Sequence, residues 1–260
     1  MAKIIAVANQ KGGVGKTVTT CSLGIGLAKQ GKKVLLCDLD PQGNLSTALG
    51  YHNISEMSIT MAELFQHVIE DNEIPQKHEY MQGVENICLI PCDIRLAGID
   101  NLLWNSYNRE GKLKYILSQI KDDFDYIFID CPPSLTMLTI NALVAADSVL
   151  IPVQAENFAT SGLVALLSTV NMIHKQVNPT LEIEGILITM FDNRLKEATE
   201  SVTEIKEAYA GHIRIFETMI PRSTTATRAT RMGVSIYEHD PNGRVAQEYG
   251  NLTKEMLGNG

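Results

Sequence analysis

No stretch of this 260-residue sequence is long and apolar enough to cross a bilayer without meeting a charge. The opening MAKIIAVANQ is apolar for only a handful of residues before glycines begin, which excludes the apolar region of a signal peptide. Cysteine is sparse. The five present, Cys21, Cys37, Cys88, Cys92 and Cys131, are odd in number and lie in apolar surroundings. That excludes a disulfide framework and fits a reducing cytosol. Positive charge is also in deficit, with 22 Lys+Arg against 30 Asp+Glu and a net charge of −8. This argues against an overall attraction to nucleic acid, but a sum over the chain does not see a local patch. There is no internal repeat, low-complexity tract or linker-like shift in composition, and the six histidines show no metal-ligand spacing.

What is present is an ordinary globular composition, 45% hydrophobic and 20% charged, which excludes a disordered chain. Apolar runs alternate with helix-period segments throughout. Strands are expected at Lys3–Asn9, Lys33–Asp38, Glu85–Pro91, Tyr126–Asp130, Ser148–Val153, Glu184–Thr189 and Ile213–Phe216. Several are continuously apolar (IIAVA, VLLC, YIFI, SVLIPV), as strands covered on both faces must be. One intervening helix shows Val18, Cys21, Ile25 and Ala28 on a face and Gly31 as its stop; another shows Leu163, Leu166, Val170, Ile173 and Val177. The alternation predicts an α/β fold: a doubly wound, mainly parallel sheet with helices on both faces, in one domain over residues 1–260. Residues Tyr51–Gln82 are the least regular and read as a solvated insertion with a short helical piece near Met61–Val68.

The strongest local signal is Asn9-Gln10-Lys11-Gly12-Gly13-Val14-Gly15-Lys16-Thr17, directly after the first strand and opening the first helix. Its glycines let the backbone turn tightly and aim successive N–H groups at phosphate oxygens, where the helix N-terminus adds partial positive charge. Gly12, Gly13, Val14, Gly15, Lys16, Thr17 and Val18 form the expected nucleotide-binding set. Lys16 would bridge the β- and γ-phosphates, and the Thr17 hydroxyl would ligate Mg²⁺. The loop departs from GxxxxGK[ST], because Gln10 stands where the first glycine belongs and a second lysine, Lys11, follows it. One physical use of Lys11 is to reach a nucleotide held by a second copy of the chain, giving two sites completed in trans at a twofold interface.

Carboxylates at the carboxyl ends of parallel strands point into the ligand crevice. Cys37-Asp38-Leu39-Asp40-Pro41-Gln42-Gly43-Asn44 places two there, Asp38 for the metal's outer shell and Asp40 to orient or deprotonate the attacking water. Turn chemistry accounts for Pro41 and Gly43 but not for two acids beside a phosphate loop. The run Tyr126–Ile129 ending in Asp130 is the other half of a P-loop nucleotidase, the acid that holds Mg²⁺.

At these residues the sequence resembles the ParA/Soj family of partition ATPases. KGGVGKT, DLDPQGN and FIDCPPSLTMLTINAL match in order, as do PVQAENFATSGL at Pro152–Leu163, TMFD at Thr189–Asp192 and the IPR of Ile220–Arg222. The resemblance spans nearly the whole chain and is poorest in Tyr51–Gln82. It implies ATP and Mg²⁺ as cofactors, with Lys16 and Thr17 on the nucleotide and metal, Asp38 and Asp130 supporting the metal, and Asp40 needed for hydrolysis. It makes Lys11 the signature lysine crossing an ATP-sandwich homodimer, Gly12 the close approach of its protomers, Glu156 a further interface residue and Pro221 a neighbour of the adenine. It also implies weak basal turnover, non-specific binding of double-stranded DNA, stimulation by a ParB-type partner and a cytoplasmic, nucleoid-associated protein. Because the chain starts at the P-loop strand, a short Soj-like member without operator-specific repression is expected.

For DNA, the segment Arg214–Arg231 carries Arg214, Arg222, Arg228 and Arg231 against the single acid Glu217, interleaved with Ser223, Thr224, Thr225, Thr227 and Thr230. Arginines and small hydroxyls are common donors to DNA phosphates. The loop that follows the expected strand Ile213–Phe216 offers no aromatic side chain to stack single-stranded bases. Arg222 and Arg244 match basic positions of Soj-like members, and Arg228 and Arg231 join them on charge alone. A MinD-like ATPase acting on a protein or membrane surface is the alternative, but it needs a basic amphipathic C-terminal helix. Here Arg244–Leu257 has cancelling charges and an apolar face of Val245, Tyr249, Leu252 and Met256 that suits packing on the sheet, so no membrane partner is expected. An iron–sulfur carrier lacks the cysteine arrangement, and a small-molecule ligase would need a substrate pocket whose residues the sequence does not identify.

Overall fold

The computed structural model describes residues 2–84, 86–155 and 160–258. Its strands are β1 (Lys3–Val7), β2 (Val34–Asp38), β3 (Gln82–Val84), β4 (Ile87–Ile90), β5 (Tyr126–Asp130), β6 (Ser148–Gln154) and β7 (Glu182–Thr189). The helices are α1 (Lys16–Lys29), α2 (Asn44–Ala48), α3 (Met61–Ile69), α4 (Lys77–Tyr80), α5 (Leu96–Trp104), α6 (Lys112–Ser118), α7 (Met137–Ala145), α8 (Thr160–Gln176), α9 (Lys196–Tyr209), α10 (Thr224–Met232), α11 (Ile236–His239) and α12 (Arg244–Met256).

Among the described residues the strands form one seven-stranded sheet in the order β3-β4-β2-β5-β1-β6-β7, parallel except for the β3–β4 pair. Side chains alternate between its faces as period two demands. Ala6, Leu35, Cys37, Ile127, Ile129, Val149, Ile151, Ile186 and Ile188 pack with α3 and α5–α9 on one side. Ile5, Val7, Val34, Leu36, Phe128, Leu150 and Leu187 pack with α1, α2 and α10–α12 on the other. Burial on both faces is why these strands read as unbroken apolar runs. Gly24 lets α1 settle onto β2, since a β-carbon there would come within 2.6 Å of Leu36 Cδ2.

Five sequence expectations change. Tyr51–Gln82 is solvated only in part: the helical piece expected near Met61–Val68 is α3, and its Met61, Leu64, Phe65 and Val68 lie on one buried face within the core, while residues 70–73 and 76–79 are exposed. That helix starts at a capping box in which Glu63 returns to the Thr60 N–H at 2.8 Å. The strand expected over Glu85–Pro91 is present but shorter, as β4, and the antiparallel β3 just before it was not expected; Glu85 itself lies outside the described residues. Ile213–Phe216 makes only an isolated bridge from Ile215 to Ile186, so it borders the sheet without extending it. Val177 lies past the end of α8 and is exposed. The terminal helix α12 does pack inward, but through α1, where Tyr249 and Thr19 share a hydroxyl contact of 3.1 Å.

Candidate functional site

The loop from β1 to α1 is clamped by two neighbouring strands. Buried Asn9 donates its Nδ2–H to Pro152 O of β6 at 2.7 Å, and its Oδ1 accepts the Lys11 N–H at 2.9 Å. At the far end, Thr189 Oγ1–H of β7 donates to Val14 O at 2.8 Å. On either side of Val14, Gly13 and Gly15 take φ of +75° and +89°, which only glycine adopts without strain. The Lys16 ammonium donates to Lys11 O at 3.3 Å, so it lies curled over the loop it is expected to serve. Burial pulls its pKa below the usual lysine value, opposed by the charges of Asp130 and Asp40. Lys11 enters this arrangement only through its backbone; its side chain is exposed and meets no carboxylate among the described residues. Val18 turns its side chain into the core, leaving its backbone as the part that can face a ligand.

Behind the loop stand the acids. Asp130 Oδ2 accepts from Thr17 Oγ1 at 2.7 Å and its Oδ1 from Thr20 Oγ1 at 3.3 Å. Asp38, fully buried, takes both the Ser46 N–H at 2.8 Å and its hydroxyl at 2.7 Å. Burial raises both acids above the ordinary carboxylate range, and for Asp130 the neighbouring Asp38 charge adds to it. Asp40 is nearer the surface, one carboxylate oxygen accepting the Gln42 N–H at 3.0 Å. Among the described residues no three carboxylate, histidine or cysteine side chains converge to hold a metal by themselves. A hydroxyl resting on a carboxylate suits magnesium, which takes one or two protein groups plus phosphate oxygens and water. Cys131 is buried, and burial pushes its thiol pKa up, which leaves it a packing residue.

The basic segment is organised differently from its reading as a loop. Ser223 caps α10, accepting the Thr225 N–H at 3.1 Å, and Gly233 ends it at φ +68°. Ser223, Ala226, Ala229 and Gly233 were the available signals for that helix. Thr224, Thr227, Arg228 and Arg231, spaced three and four apart, present one exposed face. Arg222 lies just before the cap, where its charge helps hold the Asp192 carboxyl below the usual range, after the larger effect of Arg194. Arg244 is on the first turn of α12, exposed and on a different element. Arg214 does not join them: its guanidinium stacks 4.4 Å from the Phe216 ring and bonds Glu255 O at 3.3 Å. Pro221 is bridged to Phe191, just beyond β7. Glu156 lies outside the described residues. Sequence reading missed Asn9, Thr20, Ser46 and Thr189 as site residues, although TMFD already flagged the last.

A parallel sheet with this loop after its first strand and acids ending β2 and β5 defines a P-loop ATPase of the deviant, two-lysine kind. A family model described as "AAA domain" matches residues 2–183. The sporulation initiation inhibitor protein Soj of Bacillus subtilis is 43% identical over 260 residues, covering 100% of both chains. The chromosome-partitioning ATPase Soj of Treponema pallidum is 40% identical over 257 residues, covering 99% of this chain and 98% of that one. A solved cobyrinic acid a,c-diamide synthase from Mycobacterium smegmatis, with ATP analog and magnesium bound, superposes with a TM-score of 0.86 at 32% identity, covering 99% of this chain and 94% of that chain. The chain belongs to the ParA/Soj family of partition ATPases.

Proposed function

We propose that this protein is a DNA-partition ATPase that binds ATP and Mg²⁺, pairs into an ATP-sandwich homodimer, holds double-stranded DNA non-specifically, and lets go after hydrolysis stimulated by a ParB-type partner. The observation that carries the reading is the division of labour between the two lysines. Lys16 lies over the loop in its own chain, whereas Lys11 enters the loop's hydrogen bonds through its backbone and is itself exposed. An exposed cation at the edge of a phosphate loop fits a nucleotide held by the second protomer, with Gly12 at the close approach and Glu156 as a further interface residue.

In this reading the loop N–H groups and Lys16 bind the phosphates, Pro221 borders the adenine, and Thr17, backed by Asp38 and Asp130, holds the metal. Bound magnesium would neutralise charge on the phosphate oxygens. Asp40 orients the attacking water and accepts its proton, while Lys11 from the partner stabilises the charge developing on the transferred phosphoryl group. The chain works as one domain, turns over weakly alone, and is cytoplasmic and nucleoid-associated. Arg222, Arg244 and the Arg228/Arg231 face of α10 supply the DNA contacts, which dimerisation doubles. Full-length identity to two Soj proteins favours partition over the small-molecule synthesis named for the superposed structure.

The test is the mobility shift of non-specific duplex DNA by the Asp40→Ala protein, with ATP and with ADP, across a salt series. A shift with ATP alone that weakens steeply with salt is expected, and it should vanish in Arg222→Ala or Arg244→Ala. ATP-dependent dimers that shift no DNA would instead favour a MinD-like ATPase acting on a protein or membrane surface.

A further inference from the structure

The turn carrying Asp38 and Asp40 is braced by the end of β4, a strand outside the nucleotide motifs. Cys92 Sγ–H donates to Asp40 O at 2.8 Å. Cys92 N–H donates to Ser46 Oγ at 3.2 Å, and the Ser46 hydroxyl passes its own hydrogen to Asp38 Oδ2 at 2.7 Å. Gly43 runs so close that a β-carbon there would stand 2.8 Å from Cys92 O. The Asp40 carbonyl also accepts the Gly43 N–H at 2.8 Å, and its N–H donates to Asp38 Oδ1 at 3.3 Å. The brace is itself anchored. Pro91 O accepts the Met61 N–H at 2.9 Å, and Arg95 ties Asp93 and Glu63 to the carbonyls of Ile54 and Met57. Residues 54–63 are thereby hydrogen-bonded to the chain on both sides of Cys92.

We propose that Cys92 is a positioning residue for ATP hydrolysis: its thiol fixes the Asp40 peptide and thereby the direction in which the Asp40 carboxylate faces the attacking water. The proposal rests on the reading of Asp40 as the hydrolytic acid. The Cys92 side chain is fully buried, so no water competes for its contact with the Asp40 carbonyl. A thiol is a weak donor and contributes little binding energy. Its effect is geometric, because turning the peptide between Asp40 and Pro41 would swing the carboxylate, and a displacement of about 1 Å at a reacting group can cost about 10²-fold in rate. Cys131, which follows Asp130, shows no such contact among the described residues: its Sγ reaches Ile129 O, two residues back, at 3.8 Å.

The test compares steady-state phosphate release, ATP affinity and thermal midpoint for the full-length protein and its Cys92→Ala, Cys92→Ser and Asp40→Asn variants. Cys92→Ala should lower kcat by roughly three- to tenfold with KM and ATP affinity held within about twofold, while Cys92→Ser, which keeps a donor, should retain kcat within about twofold. A packing residue would move the thermal midpoint in both variants and kcat in neither. Unchanged kcat in Cys92→Ala, or equal loss in the alanine and serine variants, would overturn the proposal while Asp40→Asn remained inactive. Wild-type turnover in Asp40→Asn would instead overturn the reading of Asp40 and the proposal with it.

Discussion

Asp38 and Asp130 stand side by side, paired in register at the carboxyl ends of the adjacent parallel strands β2 and β5. Both are fully buried. Burial, and then the Asp38 charge, push Asp130 from 3.8 to about 8. Between those values the ligand-free folded chain holds a proton that the unfolded chain has released, so this acid's contribution to stability falls as pH rises through the window. Asp130→Asn should therefore melt above the wild type at about pH 8.5 and lose that advantage at about pH 5. A pH-independent difference in thermal midpoint would rule out the charge as its cause.

Gly12 has room within its own chain, since a β-carbon there would meet only Pro133 Cβ at 4.0 Å. Gly12→Val should cost less than about 0.5 kcal/mol in thermal stability, while abolishing ATP-dependent dimers in sedimentation. Gly13→Ala and Gly15→Ala, both at positive φ, should cost roughly 1–2 kcal/mol each in the monomer. A dimeric Gly12→Val protein would remove the close approach from the interface.

Thr189 joins β7 to the phosphate loop through a buried hydrogen bond. Thr189→Val keeps the shape and leaves Val14 O without this partner, costing about 1–3 kcal/mol. Nucleotide affinity, followed by titration with a fluorescent ATP analogue, should fall several-fold, and Thr189→Ser should restore it. Wild-type affinity in the valine variant would show that the loop holds its shape without the clamp.

The exposed face of α10 predicts a salt signature. Removing Arg228 and Arg231 together should make the log–log salt dependence of DNA binding shallower by about 0.9 for each phosphate that is no longer neutralised. Arg214→Ala should leave that slope alone and lower the thermal midpoint instead, because its guanidinium is committed to Phe216 and Glu255. An unchanged slope in the double variant would take α10 off the DNA face.

The residues themselves determined the layered α/β class, the phosphate loop and the three acids. Each is written in a contiguous stretch: an apolar run buried on both faces, a glycine-lysine turn entering a helix, a carboxylate ending a strand. A phosphate-binding loop of this kind acts largely through its own backbone N–H groups, so its signature is legible from one short segment. Relationships between segments far apart in the chain were decided only by the tertiary structure. Strand order made Asp38 the neighbour of Asp130, brought Thr189 to Val14 and Cys92 to Asp40, and drew Met61–Val68 into the core. It also separated Arg214 from the other arginines, which charge alone had grouped with them. Local spacing carries dihedral preference and hydrophobic period, whereas a hydrogen bond between residues 52 or 175 positions apart depends on how the whole sheet is ordered.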